Sequence, residues 1–119
     1  MENTNQAFLE QCQNKAAELS GLLNTKVHPV VFKDPDTGED IDAYVKEPSR
    51  MQKIAVLDKM TMVGAYSASA ELVDVLLIKE HCHPRVTSER SEDDAVYIGV
   101  LQAVTDLVKL LVNQAKKKH

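Results

Sequence analysis

His81-Cys82-His83 brings two imidazoles and a thiol together, and these are the residue types that hold zinc. Three neighbours on a regular helix cannot all face one ion, and a structural site wants about four ligands in tetrahedral array. The remaining ligand types are Cys12, His28 and His119. The segment therefore reads as a helix end with Cys82 tucked inward and His81 and His83 outside. A catalytic Cys82–His pair would need a third, orienting group and a pocket, and the sequence marks neither. No metal ligand, cofactor or catalytic residue is expected.

Carboxylates gather in two places. Asp34, Asp36, Glu39 and Asp40 lie in the stretch DPDTGED, without the alternating spacing and closing Glu of a calcium-binding loop. They read as an acidic, solvated turn. Glu92, Asp93 and Asp94 could do acid–base work, yet a helix start accounts for all three. Ser91 can accept from the Asp94 backbone N–H, Asp94 can reach back, and acids suit the positive end of a helix dipole. There is no phosphate-cradling glycine loop, serine elbow or metalloprotease pair. The chain reads as non-enzymatic.

The elements that position these groups follow from periodicity. Over residues 4–23, Phe8, Cys12, Ala16, Leu19 and Leu22 recur at three- and four-residue steps, an amphipathic helix capped by Asn3 or Thr4 and ending near Gly21 or Asn24. The period then becomes two on either side of the acidic turn, where Pro35 and Gly38 suit a reversal, which predicts a β-hairpin over 26–46. Pro29 has no N–H for a ladder, so its strand lies at an edge or begins after it. Two strands alone are marginal in water, so helices or another chain's edge must cover them. A second helix is placed from Pro48 to a stop at Gly64. A third covers residues 67–81 and breaks at His83-Pro84. The last opens at Ser91 and carries a narrow polar strip of Gly99, Gln102, Asp106, Lys109 and Asn113, with Lys116, Lys117 and Lys118 at the negative end of its dipole.

The sum is an α+β chain, mostly helical, with about four helices and one hairpin near the N-terminal third. It forms a single domain over 1–119: a helix to 24, the hairpin over 26–46 and a helical body from 48. A hydrophobic share of 44% and a charged share of 27% argue against a disordered chain. The net charge of -4 is the wrong sign for duplex nucleic acid. No apolar run reaches membrane-spanning length, and the first residues lack a signal peptide's basic and apolar regions, so a cytoplasmic protein with reduced thiols is expected. Apart from its polar strip the last helix is apolar almost all round, so it is either the domain's centre or partly covered by another chain.

One arrangement points to a family. A leading helix and hairpin ending in Ala43-Tyr44-Val45-Lys46-Glu47-Pro48-Ser49-Arg50 are followed by Leu76-Leu77-Ile78-Lys79-Glu80-His81-Cys82, then by Ser91-Glu92-Asp93-Asp94 opening the apolar last helix. This order resembles the small tail assembly chaperones of long-tailed bacteriophages and prophages. The resemblance implies a chaperone in the host cytoplasm, absent from the finished virion, that coats the apolar helical tape measure protein during tail morphogenesis. It also implies contact with the tail tube protein and self-association into a homo-oligomer, with neither nucleic acid nor membrane as partner. Leu101, Val104, Leu107, Val108 and Leu111 are the expected contact residues. The alternative is a small structural virion protein, a head–tail connector or tail completion subunit.

Overall fold

Alternating apolar residues on both sides of the acidic turn set the centre of the fold. β1 (Val27–Lys33) and β2 (Asp40–Lys46) pair antiparallel, with Val30 opposite Ala43 and Phe32 opposite Ile41. The computed structural model describes residues 6–117, and among these the fold is α+β and mostly helical. Around the hairpin stand α1 (Gln6–Leu23), α2 (Arg50–Val63), α3 (Ala65–Leu76) and α4 (Asp94–Lys117).

Side chains alternate across a strand, so the hairpin has two apolar faces and each needs cover. On one face Val30, Ile41, Ala43 and Val45 pack in a single cluster with Leu72, Val73 and Leu76 of α3 and Val96, Val100 and Val104 of α4. On the other, Val27, Val31 and Tyr44 pack with Cys12, Ala16 and Leu19 of α1. The result is three layers: α1, the hairpin, then α3 with α4. Burying each such side chain contributes roughly 1.5–3 kcal/mol relative to exposure, which offsets the instability of an isolated two-stranded ribbon.

The edges are treated unequally. Beyond β2, the chain after α3 runs alongside and occupies its outward groups. Ile78 N–H donates to Tyr44 O (2.9 Å), His83 N–H to Asp42 O (2.8 Å) and Tyr44 N–H to Cys82 Sγ (3.5 Å), while Leu77 bridges Val45. Among the described residues no strand pairs with the outer edge of β1, which has Pro29 inside it, opposite Tyr44.

Four expected boundaries need correction. Pro48 is not the first residue of α2; Ser49 is the cap, accepting from Gln52 N–H (3.2 Å) while Gln52 Oε1 accepts from Ser49 N–H (2.8 Å). The third helix does not reach His81. It ends at Leu76, because Leu77 and Ile78 are buried and turn extended to close the β2 edge. The last helix begins at Asp94, after a 3-10 turn at Ser91–Asp93 that lacks the expected side-chain cap. In α1 the buried stripe stops at Leu19, and Leu22 is 80% exposed. There Ser20 Oγ accepts from Val27 N–H (2.8 Å) and Asn24 takes a left-handed φ of 54°, which swings the chain into β1. The expected cap at Asn3 or Thr4 lies outside the described residues, as do Lys118 and His119.

Ser69 of α3 is fully buried, and its Oγ has no hydrogen-bond partner. A buried, unpaired hydroxyl costs about 1–3 kcal/mol. Ser69→Ala should therefore raise stability by about 1 kcal/mol, read as a higher urea midpoint with an unchanged slope.

Candidate partner-binding surfaces

The five α4 residues expected to touch a partner split between inside and outside. Val104 and Val108 are fully buried, in line with Val96 and Val100, and belong to the core. Leu101, Leu107 and Leu111 are half-buried, and Leu107 lines a groove beside β1. Gln102, Asp106 and Lys109 lie on the exposed side, as the polar strip requires. Gly99 does not belong with them. Its Cα lies under Phe32, and a Cβ there would sit 2.8 Å from the ring's Cζ, so the missing side chain lets β1 approach α4.

The two carboxylate groups, read separately from the sequence, meet on one guanidinium. Arg85 Nε donates to Asp93 Oδ1 (2.7 Å), and its Nη1 donates to Asp34 Oδ2 (2.6 Å) and Glu39 Oε1 (3.0 Å). Asp34 and Asp93 are 2% and 6% exposed, so the turn is not simply solvated and Asp93 is not a cap. His83 completes the group: its Nδ1 accepts from Arg85 N–H (3.1 Å) and its Nε2 lies 2.9 Å from Glu39 Oε2. The tautomer with its proton on Nε2 satisfies both contacts.

These contacts hold the carboxyls below their ordinary range. For Asp34 the main cause is the Asp36 backbone N–H, followed by Arg85. For Glu39 it is Arg85 and then His83, and for Asp93 it is the Ser88 hydroxyl and then Arg85. The Arg85 pKa is raised in turn. Chemically the arrangement is a clamp in which one guanidinium bonds three carboxylates. It fastens the hairpin turn to the start of α4 and leaves no free base or nucleophile.

His81-Cys82-His83 lies at the end of a short 3-10 turn (Lys79–His81) in the segment that lines β2, not at the end of α3. Cys82 is tucked inward, its Sγ donating to Ile78 O (3.2 Å), while His81 is exposed and His83 is held by Glu39. Burial pushes the Cys12 and Cys82 thiols up, and burial likewise raises the Tyr44 phenol. Such thiols are poor nucleophiles. Among the described residues, no three His, Cys, Asp or Glu side chains are grouped to hold a metal ion.

The surface that periodicity missed lies on α2 and α3. α2 packs on α3 and little else, so α2 and the outward side of α3 form an arm beside the layers that α3 itself helps to build. Val56 is the buried residue of α2. Met51 is 70% and Met62 80% exposed, joined by Ile54, Val63, Tyr66 and Val75. These are six of the ten large apolar side chains left exposed among the described residues, which concentrates the free apolar surface on one element pair. Gly64 (φ 95°, ψ 160°) makes the turn between the helices in a region essentially reserved for glycine. The sequence signal was there to read: three of the four methionines fall between residues 51 and 62.

Compared with known family models, curated proteins and solved structures, the chain matches none.

A stability profile against pH checks the clamp. Carboxyls with lowered folded pKa values contribute stability that is full above their unfolded range, about 4, and is lost as pH falls through the folded values. Arg85→Gln should lower the melting midpoint at neutral pH and flatten its decline below about pH 5. An unchanged acid limb in the variant would mean that the clamp does not stabilise the fold.

Proposed function

We propose that the chain is a non-enzymatic tail assembly chaperone which shields apolar helices of a tape measure protein, using the exposed face of the α2–α3 arm. The observation that carries this reading is the concentration of exposed apolar side chains on that arm, outside the core. The order of motifs from Ala43 to Asp94 that resembles tail assembly chaperones supports it. An amphipathic or apolar helix is recognised by laying one face against another apolar helical surface. Methionine suits a client with many near-equivalent segments, because its unbranched thioether adapts to irregular partners.

The magnitudes fit a transient escort. Burying four or five such side chains yields a gross gain of roughly 6–15 kcal/mol. Lost rigid-body freedom and side-chain ordering remove much of that. The remainder corresponds to a weak complex, about micromolar at its tightest, in keeping with a client that is later released. The net charge of -4 agrees with a protein client rather than nucleic acid. No helix among the described residues is long and apolar enough to cross a membrane. Action in the host cytoplasm, contact with the tail tube protein and self-association belong to the same reading.

The test is co-expression with a tape measure protein from the same gene cluster. The wild-type chain should keep that client in the soluble fraction. Met51→Glu combined with Met62→Glu should return it to the pellet and weaken binding at least tenfold, since charges would replace apolar contacts. Far-ultraviolet circular dichroism of the double variant should stay unchanged, because both side chains point away from the core. Full client rescue by the double variant would remove the arm from the proposal. Stoichiometric recovery of the chain in purified particles would favour a structural virion protein instead.

A further inference from the structure

A groove of about 630 Å³ runs between the free edge of β1 and the outer flank of α4. Its apolar wall is made by Phe32, Ala103, Leu107 and Leu110, with the bare Gly99 backbone beneath the Phe32 ring. It continues the packed hairpin–α4 interface outward, past the point where β1 ends the sheet.

The backbone on that side is defined by the ladder's alternation. Asp34 N–H donates to Glu39 O (2.9 Å) and Glu47 N–H to Lys26 O (2.8 Å), so residues 28, 30 and 32 direct their polar groups at β2. Residues 27, 29, 31 and 33 therefore direct theirs outward. Val27 N–H is taken by Ser20 Oγ (2.8 Å), and Pro29 has none to give. What remains is the carbonyls of Val27 and Pro29 and both polar groups of Val31 and Lys33, none with a partner among the described residues. Charge around the groove is equally uneven. His28 lies 2.6 Å from Glu47, and Lys33 is bonded to Asp40 (2.9 Å), whereas Asp106 lines the groove without an ion-pair partner among the described residues.

We propose that this groove receives a short extended segment of another protein as a third strand. It pairs with Val31 and Lys33, lays apolar side chains over Ala103 and Leu107, and sets a lysine or arginine beside Asp106. Pro29 ends the ladder and so limits the paired stretch to about five residues. Complementarity to Asp106 and continuity with the hairpin–α4 interface select this occupant. A second copy of β1 would bring its own proline to the pairing and forfeit a further donor. The inference uses a surface separate from the α2–α3 arm and stands independently of the chaperone reading.

The probe is the peptide acetyl-Thr-Val-Thr-Leu-Thr-Lys-Thr-amide, titrated into the full ¹⁵N-labelled chain. Its charge-reversed control carries Glu in place of Lys. Binding should shift the Val31, Lys33, Gly99 and Ala103 amides and slow solvent exchange at Val31. Asp106→Asn should weaken it by roughly two- to fivefold, as for an exposed ion pair. Three outcomes would overturn the proposal: no shifts at β1 up to millimolar peptide, equal binding of the Glu control, or shifts confined to α2 and α3. Concentration-dependent protection of Val31 without peptide would do so too, by giving the edge to a second copy.

Discussion

A two-stranded ribbon cannot hide both of its faces or satisfy both of its edges, and everything else here is arranged around that deficit. α1 covers one face, α3 and α4 cover the other, and the segment after α3 gives its amides to the outer edge of β2. Tyr44 marks where these demands converge. Its ring is buried beneath α1, Lys15 Nζ stands 4.8 Å from the ring centroid, and its hydroxyl donates to Asp42 (2.8 Å). Lys15 Nζ also donates to His81 O (3.0 Å), so one lysine ties α1 to the edge-covering segment.

The clamp on Arg85 does for the hairpin's far end what that segment does for its side. Its four members stand at positions 34, 39, 85 and 93, so it closes only when the turn and the start of α4 are both in place. Three acidic residues, Asp34, Glu39 and Asp93, are tied up internally in this way.

How much of this was legible depends on whether the signal is local. The hairpin was readable from alternation and a turn with Pro35 and Gly38, and α2's stop was readable from Gly64. The Ser49–Gln52 capping box was also present in the sequence, but Pro48 drew the boundary toward itself. Residues 77 and 78 look helical because Leu76, Leu77 and Ile78 fit any apolar template. Only the vacant edge of β2, distant in sequence, decides that these two leave the helix before the 3-10 turn at Lys79–His81. The same holds for Asp93, whose neighbours suggest a cap and whose partner lies on Arg85. On α4, composition alone could not separate Val104 and Val108, which are core, from Leu107, which is not. A free apolar surface on α2 went unread because periodicity rewards well-formed stripes, and the methionines there fit none.

The arm has one more consequence. α2 leans on α3 and makes little contact with α1, the hairpin or α4, so it can lift while those elements stay packed. Local opening free energies follow such differences. The backbone of residues 50–63 should therefore trade its hydrogens with deuterated solvent sooner than the amides that pair β1 with β2. When α2 lifts, it uncovers Val56, Ala68 and Leu72, so breathing enlarges the sticky surface instead of merely blurring it.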